Sequence, residues 1–506
     1  MEEKFKELRS TLATLADIHG AEAILGWDAQ TYMPPGSAEA RGRQSGTLGQ
    51  LAHEIATSEE LGRLLEDLRP YAETLDPDSD ERRMIRAALR DYDRAKRIPA
   101  EFVREEAEVT AVATQAWVEA RQKSDFNHFS PHLEKMIEMI RRRIGFFPPT
   151  DHPYDILLDA FEPEMKTVEV KSIFDGLRTR QVQLIQAISR QPQVDDSFLH
   201  QAFDEGKQWQ FGVEVVTAFG FDWKRGRQDR SPHPFTNASS RHDVRITTRV
   251  APTFLNTMLF GNMHETGHAL YALGSAPSLD RTNLEDSASQ GVSESQSRMW
   301  ENLVGRSRPF WDYFYPRLQK TFPGQLENIP ADAFYRGINK VQPSPIRVEA
   351  DEATYNLHIM LRLEIEIAII EGKVAVKDLP TLWNSKMEEY LGIAPRNDAE
   401  GVLQDIHWSW GMFGYFPTYT LGNIISAQLW EKIERDLPDL EEQIRVGRFD
   451  DLLEWLQEKI YRHGRKFLPQ ELVQRVTGSK INPAPYLRYL EKKYGEIYGL
   501  GGGAAE

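Results

Sequence analysis

The chain of 506 residues contains no cysteine. That excludes disulfides and every zinc site built on thiolates, so a metal site here must draw on His, Asp and Glu. No apolar run reaches the ~18 residues of a membrane-spanning helix. The opening residues, MEEKFKELRS, are charged and lack the apolar centre of a secretory signal. The expected location is therefore the cytoplasm, which the absence of cysteine also suits. Positive charge is in deficit, with 61 Lys and Arg against 77 Asp and Glu, a net charge of −16. A diffuse negative surface argues against nucleic acid and anionic membranes as partners. Low-complexity sequence is confined to the terminal GLGGGAAE, read as a frayed tail. No flexible linker divides the chain, which predicts a single unit over residues 1–506.

What is abundant is helical pattern. EEAEVTAVATQAWVEARQ and LEKMIEMIRRRIGFF carry apolar residues at three- and four-residue spacing. YNLHIMLRLEIEIAIIEG is longer and more apolar, with Gly372 placed to end it, and FDDLLEWLQEKIYRHG closes on Gly464. Proline marks the connections, at Pro70, Pro148, Pro149, Pro163, Pro232, Pro234, Pro343, Pro345, Pro395 and Pro417. One stretch departs from this rhythm. DVRITTRV, from Asp243 to Val250, alternates with period two: Val244, Ile246, Thr248 and Val250 fall on one face, and Asp243, Arg245, Thr247 and Arg249 on the other. The prediction is a mainly α chain with a short strand.

Just beyond that strand lies GNMHETGHALYALG, from Gly261 to Gly274. His264 and His268 are one helical turn apart on the same face, where two imidazoles can hold one metal ion. Glu265 is rotated from His264 by about 100°. That sets it beside the metal, where it can take a proton from water that the metal acidifies. Leu255, Met258 and Leu259 supply an apolar face, and Gly274 and Pro277 end the helix. Gly267 inside the motif costs about 1 kcal/mol against alanine, which a close backbone or substrate approach would explain. The alternative, two ordinary helix histidines, requires a chance match to the motif. A catalytic zinc takes three protein ligands, and position 274 is Gly where the longer three-histidine motif would continue. A downstream carboxylate is expected instead, among Glu285, Asp286, Glu294 and Glu301. Glu294 and Glu301 fall near one face of the next helix, and spacing alone does not choose between them.

Longer stretches are familiar. HETGHALY, ESQSRMWENLVGRS, IRVEADEATYNLHI and VLQDIHWSWGMFGYFPTYTLGN, with WDAQTYMPPG, the HPF of His233–Phe235 and the DVRIT of Asp243–Thr247, resemble the carboxypeptidase Taq family of zinc metallocarboxypeptidases. The resemblance runs from Trp27 to past Gly464. It implies a large helical metallopeptidase, mainly α, forming one catalytic domain. A deep active-site groove would lie between two helical halves, with a small β-sheet near the zinc helix. It implies release of single C-terminal residues with broad specificity from peptides with a free C-terminus, and a homodimer. One zinc ion per chain is implied, with cobalt (Co2+) the other metal in view. By resemblance, His264, His268 and Glu294 are the metal ligands and Glu265 is the general base. Arg347, in PIRVEADE, would hold the substrate carboxylate. His407 and Tyr419 would meet the carbonyl or the oxyanion, and His233 and Arg245 belong to segments near the active site. There is one departure: the family usually has HESQS where this chain has SESQS, so Ser293 replaces a histidine. Either a contact behind the metal or to substrate is altered, or Ser293 caps its helix with Gln296 as capping-box partner.

Physical chemistry weighs each of these residues. A planar guanidinium suits a terminal carboxylate because it donates two parallel hydrogen bonds. Arg245 and Arg347 are the candidates, yet each has carboxylate neighbours able to occupy it, Asp243 for the first and Glu349 and Asp351 for the second. His407 sits beside Trp408 and Trp410, a setting that equally suits a packed core histidine. Tyr415 and Tyr419 lie in a Gly- and Pro-bearing stretch read as a loop. A tyrosine hydroxyl at Tyr419 suits an oxyanion, and Tyr415 reads as aromatic packing. His233 precedes Pro234 and is excluded from a helix. Two rival functions share these residues: an oligopeptidase cutting inside short peptides, and an inactive metal-binding scaffold, against which the intact Glu265 speaks.

Overall fold

The computed structural model describes residues 1–500; from residue 501 onward the expected frayed tail lies outside the described residues. Helices form where the apolar periodicity placed them. Ala100–Lys123 ends at Ser124 in the left-handed conformation and packs along Phe126–Gly145. Its buried residues include the small Ala113, Ala116 and Ala120, in the same core as Phe129, Leu133 and Met136. Tyr355–Ile370 is buried almost all round, as a helix apolar on every face must be. Gly372, with φ of 72°, turns the chain away after it. Two expectations fail at prolines. Pro70 lies inside helix Glu59–Thr74 rather than in a connection. It falls in the last turns, where one lost backbone bond is offset by the burial of Leu64, Leu65, Leu68 and Ala72. Tyr419 is not in a loop: Pro417 opens helix Pro417–Asp436 and Tyr419 sits in its first turn, the position where proline is pre-organised for a helix.

The hydrophobic residues divide unequally. Most of the chain from Ala113 to Tyr498 shares one core. Helices Glu2–Thr31, Glu59–Thr74 and Asp80–Arg97 form a second core from Phe5, Leu8, Leu65, Leu68 and Ile85, joined from the larger body by Leu279 and Leu284. Their other fastenings include ion pairs: Arg83 with Glu471 at 2.8 Å, Arg475 with Asp78 at 2.8 Å, Lys466 with Asp80 at 2.7 Å and Arg465 with Asp91 at 2.8 Å.

The predicted strand is the centre of a small sheet. β1 (Gly226–Arg230), β2 (Thr236–Ser240) and β3 (Asp243–Thr248) lie in the order β1-β3-β2, with β1 parallel and β2 antiparallel to β3. The strand stops at Thr248, short of Val250. Val244 and Ile246 are fully buried and pack with Val216, Phe221, Ala269 and Leu273. Two of those, Ala269 and Leu273, belong to helix Leu255–Leu273, so the apolar face of β3 fixes the sheet on the histidine-bearing helix. A cavity of about 3160 Å³ follows. Helix Glu2–Thr31, β2 and the segments around Arg347 and His407 line it, together with His264, His268 and Glu294. The fold is thus mainly α with a small sheet and a large groove. No helix among the described residues is long and apolar enough to cross a membrane.

Candidate active site

His264 and His268 sit on helix Leu255–Leu273, and their Nε2 atoms lie 3.6 Å and 3.2 Å from Glu294 Oε2. One donor atom from each of the three residues falls within 4.8 Å of the others. Two imidazole nitrogens and one carboxylate oxygen, with no thiolate, are a donor set that fits a divalent metal of zinc type. Glu294 comes from helix Gln290–Arg298, which is wedged between two glycines. A Cβ on Gly267 would stand 2.5 Å from Gln296 O and 2.6 Å from Ser297 Cα, and one on Gly422 would stand 2.7 Å from Glu294 Cβ. Gly267 therefore serves close backbone approach: it lets the second helix lie directly against the first, which brings the third donor within reach.

The other nitrogen of each imidazole has its own partner. His264 Nδ1 is 2.9 Å from Glu301 Oε2, and His268 Nδ1 is 2.9 Å from Ser293 Oγ. Such partners fix the ring orientation and tautomer of a metal-binding histidine. Ser293 is not a helix cap; Ser289 is, accepting from Val292 N. Beyond Arg298 the helix widens into a π-helical segment, Met299–Val304. Glu294 faces the Nε2 atoms of both histidines, and Glu301, in the π-helical segment, lies behind His264. Arg298 spans both, bonding Glu294 Oε1 at 3.2 Å and Glu301 Oε2 at 3.0 Å, with its guanidinium 4.6 Å above the Tyr355 ring. Burial opposes charge on Glu294, but His264 and Arg298 outweigh it and hold the carboxyl well below its usual range. Burial opposes charge on Glu301 too, and Arg298 and His264 bring it to about 2. Glu285 and Asp286 are engaged elsewhere: Glu285 accepts from the backbones of Arg241 and Arg281, and Asp286 from that of Ser287.

Glu265 is buried to 7 % exposure and lines the groove, and Thr236 Oγ1 on β2 lies 2.7 Å from its Oε2. His407 Nε2 is 3.3 Å from the Tyr419 hydroxyl, and both residues line the groove. Burial pushes His407 down to about 3, so its ring is neutral at physiological pH. Burial pushes Tyr419 well above its ordinary value, so it keeps its proton. Arg347 lines the groove, but its guanidinium is largely engaged: Nε and Nη2 bond Asp405 Oδ1 at 3.0 Å and 2.9 Å, and Nη1 bonds the Tyr355 hydroxyl at 2.7 Å. The neighbours expected to compete for it, Glu349 and Asp351, do not; the partner is Asp405, far along the chain. Arg245 does not line the groove. It chelates Asp243 with bonds of 2.8 Å and 2.7 Å, and its guanidinium stacks 4.3 Å from the Trp27 ring, which takes it out of consideration as a substrate clamp. His233 is exposed and lines the groove. Sequence reasoning missed Arg298, Asp405, Tyr355 and Thr236. Only Arg298 carried a local signal, four residues after Glu294.

An HExxH helix whose histidines meet a carboxylate from a second helix, in the wall of a large groove, points to a metallopeptidase. The chain belongs to the Carboxypeptidase Taq (M32) metallopeptidase family, whose sequence profile matches residues 7–494. It is 40% identical over 489 residues to Thermostable carboxypeptidase 1 of Thermus thermophilus, spanning 94% of this chain and 95% of that one. It is 39% identical over 494 residues to Carboxypeptidase 1 of Bacillus subtilis, spanning 97% and 98%. Among solved structures, the M32 carboxypeptidase from Deinococcus radiodurans R1 matches with a TM-score of 0.95 at 41% identity, over 98% of this chain and all of that one. The chain is a peptide hydrolase of the metallocarboxypeptidase type.

Proposed function

We propose that the chain releases single C-terminal amino acids from peptides, with broad specificity, as one catalytic unit that uses zinc. The observation that carries this reading is the meeting of His264, His268 and Glu294 in the groove with Glu265 beside them. His264, His268 and Glu294 hold the ion, which when bound supplies Lewis acidity, acidifying water and polarising the scissile carbonyl. Glu265 takes the proton of the attacking water and returns it to the leaving amine. Tyr419, which keeps its proton, donates to the developing oxyanion, with His407 as its neutral neighbour. Arg347 has three of its five N–H groups committed to Asp405 and Tyr355. The remaining two receive the substrate carboxylate, and Asp405 holds the fork in place for them. His233, exposed on the groove wall, contacts the peptide. A cytoplasmic location and a homodimer complete the reading. The first is supported by the absence of cysteine, the second by family likeness alone; light scattering tests the dimer.

The deciding experiment compares two peptides of identical sequence, one with a free C-terminus and one amidated, each incubated with zinc-loaded protein and read by mass spectrometry. Single-residue ladders from the free peptide alone are expected. Internal cleavage of both would replace this reading with an oligopeptidase and remove the role of Arg347.

A further inference from the structure

The geometry points to Thr236 as the positioning residue for Glu265, an inference that rests on the reading of Glu265 as the base. Thr236 is remote in sequence and lies on β2, yet its Oγ1 stands 2.7 Å from Glu265 Oε2 and 2.8 Å from the Glu265 backbone oxygen. No other protein group among the described residues bonds the Glu265 carboxylate. One oxygen is therefore tethered, and Oε1 is left to the groove that Glu265 lines.

The tether has a rigid origin. The residue before it, Phe235, bonds Thr247 Oγ1 through its N–H at 2.9 Å, and its carbonyl accepts from Thr247 N at 2.9 Å. Thr247 Oγ1 is held in turn by Ser231 Oγ at 2.7 Å. Thr236 itself is in register with Ile246, which is fully buried in the small core that includes Ala269 and Leu273 of the histidine helix. The strand that carries the hydroxyl is thus locked to the helix that carries the carboxylate. A β-branched side chain has few χ1 choices, so the hydroxyl stays aimed.

A glutamate reaching from a helix has three rotatable bonds, and an untethered carboxylate would spend most of its time away from the attacking water. The hydroxyl carries one proton and stands within reach of two acceptors. When Glu265 is a carboxylate, Thr236 donates to Oε2. When Glu265 carries the proton taken from water, that proton sits on Oε1 facing the groove, and Oε2, now the carbonyl oxygen of the acid, still accepts from Thr236. The tether then persists through both halves of the cycle with no net proton gained or lost by Thr236.

The test uses Thr236→Val and Thr236→Ser in the full-length zinc-loaded protein, with Glu265→Gln as control. Thr236→Val keeps the shape and removes the hydroxyl. It is expected to lower kcat roughly tenfold to a hundredfold, the scale of a small misplacement of a reacting group. KM, bound zinc per chain and thermal midpoint should stay near the parent values. Thr236→Ser should recover most of the loss, and a crystal structure of Thr236→Val should show the Glu265 side chain turned out of its parent position. A Thr236→Val variant with unchanged kcat, beside an inactive Glu265→Gln, overturns the positioning role alone. An active Glu265→Gln overturns the base reading itself. Loss of zinc in Thr236→Val, or a serine variant as impaired as the valine one, also overturns positioning, because the residue would then be acting on the fold or the metal.

Discussion

At the scale of single residues, the two histidines differ in what stands behind them. His264 leans on the carboxylate of Glu301, which Arg298 also holds, whereas His268 leans on the neutral hydroxyl of Ser293. Truncating the serine leaves an imidazole free to turn, and outer-shell losses of this kind typically cost about 10- to 100-fold in metal affinity. Ser293→Ala should therefore release zinc to a competing chelator at a lower concentration than the parent, by about that factor. Arg347 offers a second prediction. Arg347→Lys cannot chelate Asp405 and donate a fork at once, so KM for peptides with a free C-terminus should rise at least about tenfold. A KM unchanged in steady-state assays would place the carboxylate elsewhere. The histidine pair and Glu265 were legible because one helix carries them at fixed spacing. Thr236 and Asp405 act through contacts with residues brought close only by folding, and no local pattern announces such a partner, whereas Ser293 stood out only as a departure from the family's HESQS.

At the scale of elements, the site depends on how near two helices can come. Gly267→Ala would place a methyl carbon 2.5 Å from Gln296 O and 2.6 Å from Ser297 Cα, backbone atoms that cannot step aside. The helices must part, at a cost of about 1–3 kcal/mol. The expected outcome is a lower urea midpoint together with weaker zinc retention, since Glu294 travels with the displaced helix. Stability loss without any change in zinc affinity would show that the ligand set tolerates the separation. The sequence signalled that Gly267 needed a reason, and the positions of helices, though not their ends, and the one alternating strand of the three were readable from periodicity. It did not reveal the π-helical widening at Met299–Val304, which has no compositional mark and carries Glu301, the carboxylate behind His264. Nor did it reveal that Pro417 starts a helix, because Gly and Pro near an aromatic run read alike at a loop and at a helix entry.

At the scale of the whole molecule, buried ionisable groups set the pH range of stability. Glu162 is fully buried beneath the start of helix Gln290–Arg298, with Oε1 accepting from Gly291 N, and burial pushes it from 4.5 up to about 8. The folded protein keeps that proton where the unfolded chain has lost it. The associated stability is complete below pH 4.5 and is lost as pH rises through about 8. His407 works from the other side. Burial lowers it from 6.5 to about 3, so its contribution is complete above pH 6.5 and is lost as pH falls toward 3. Urea midpoints should thus decline on both flanks, and Glu162→Gln should flatten the alkaline one, by roughly 1–3 kcal/mol at its upper end. A persisting alkaline decline in that variant would assign it to other groups.

The smaller N-terminal core, with its apolar bridge through Leu279 and Leu284 and its outer fastenings to Glu471, Arg475, Lys466 and Arg465, has a thermal consequence. Desolvating a charged pair becomes cheaper as water warms, while the gain per area of apolar contact levels off. The seam between the two bodies is therefore stitched with a thread that tightens, relative to its surroundings, in hot solution and slackens in concentrated salt.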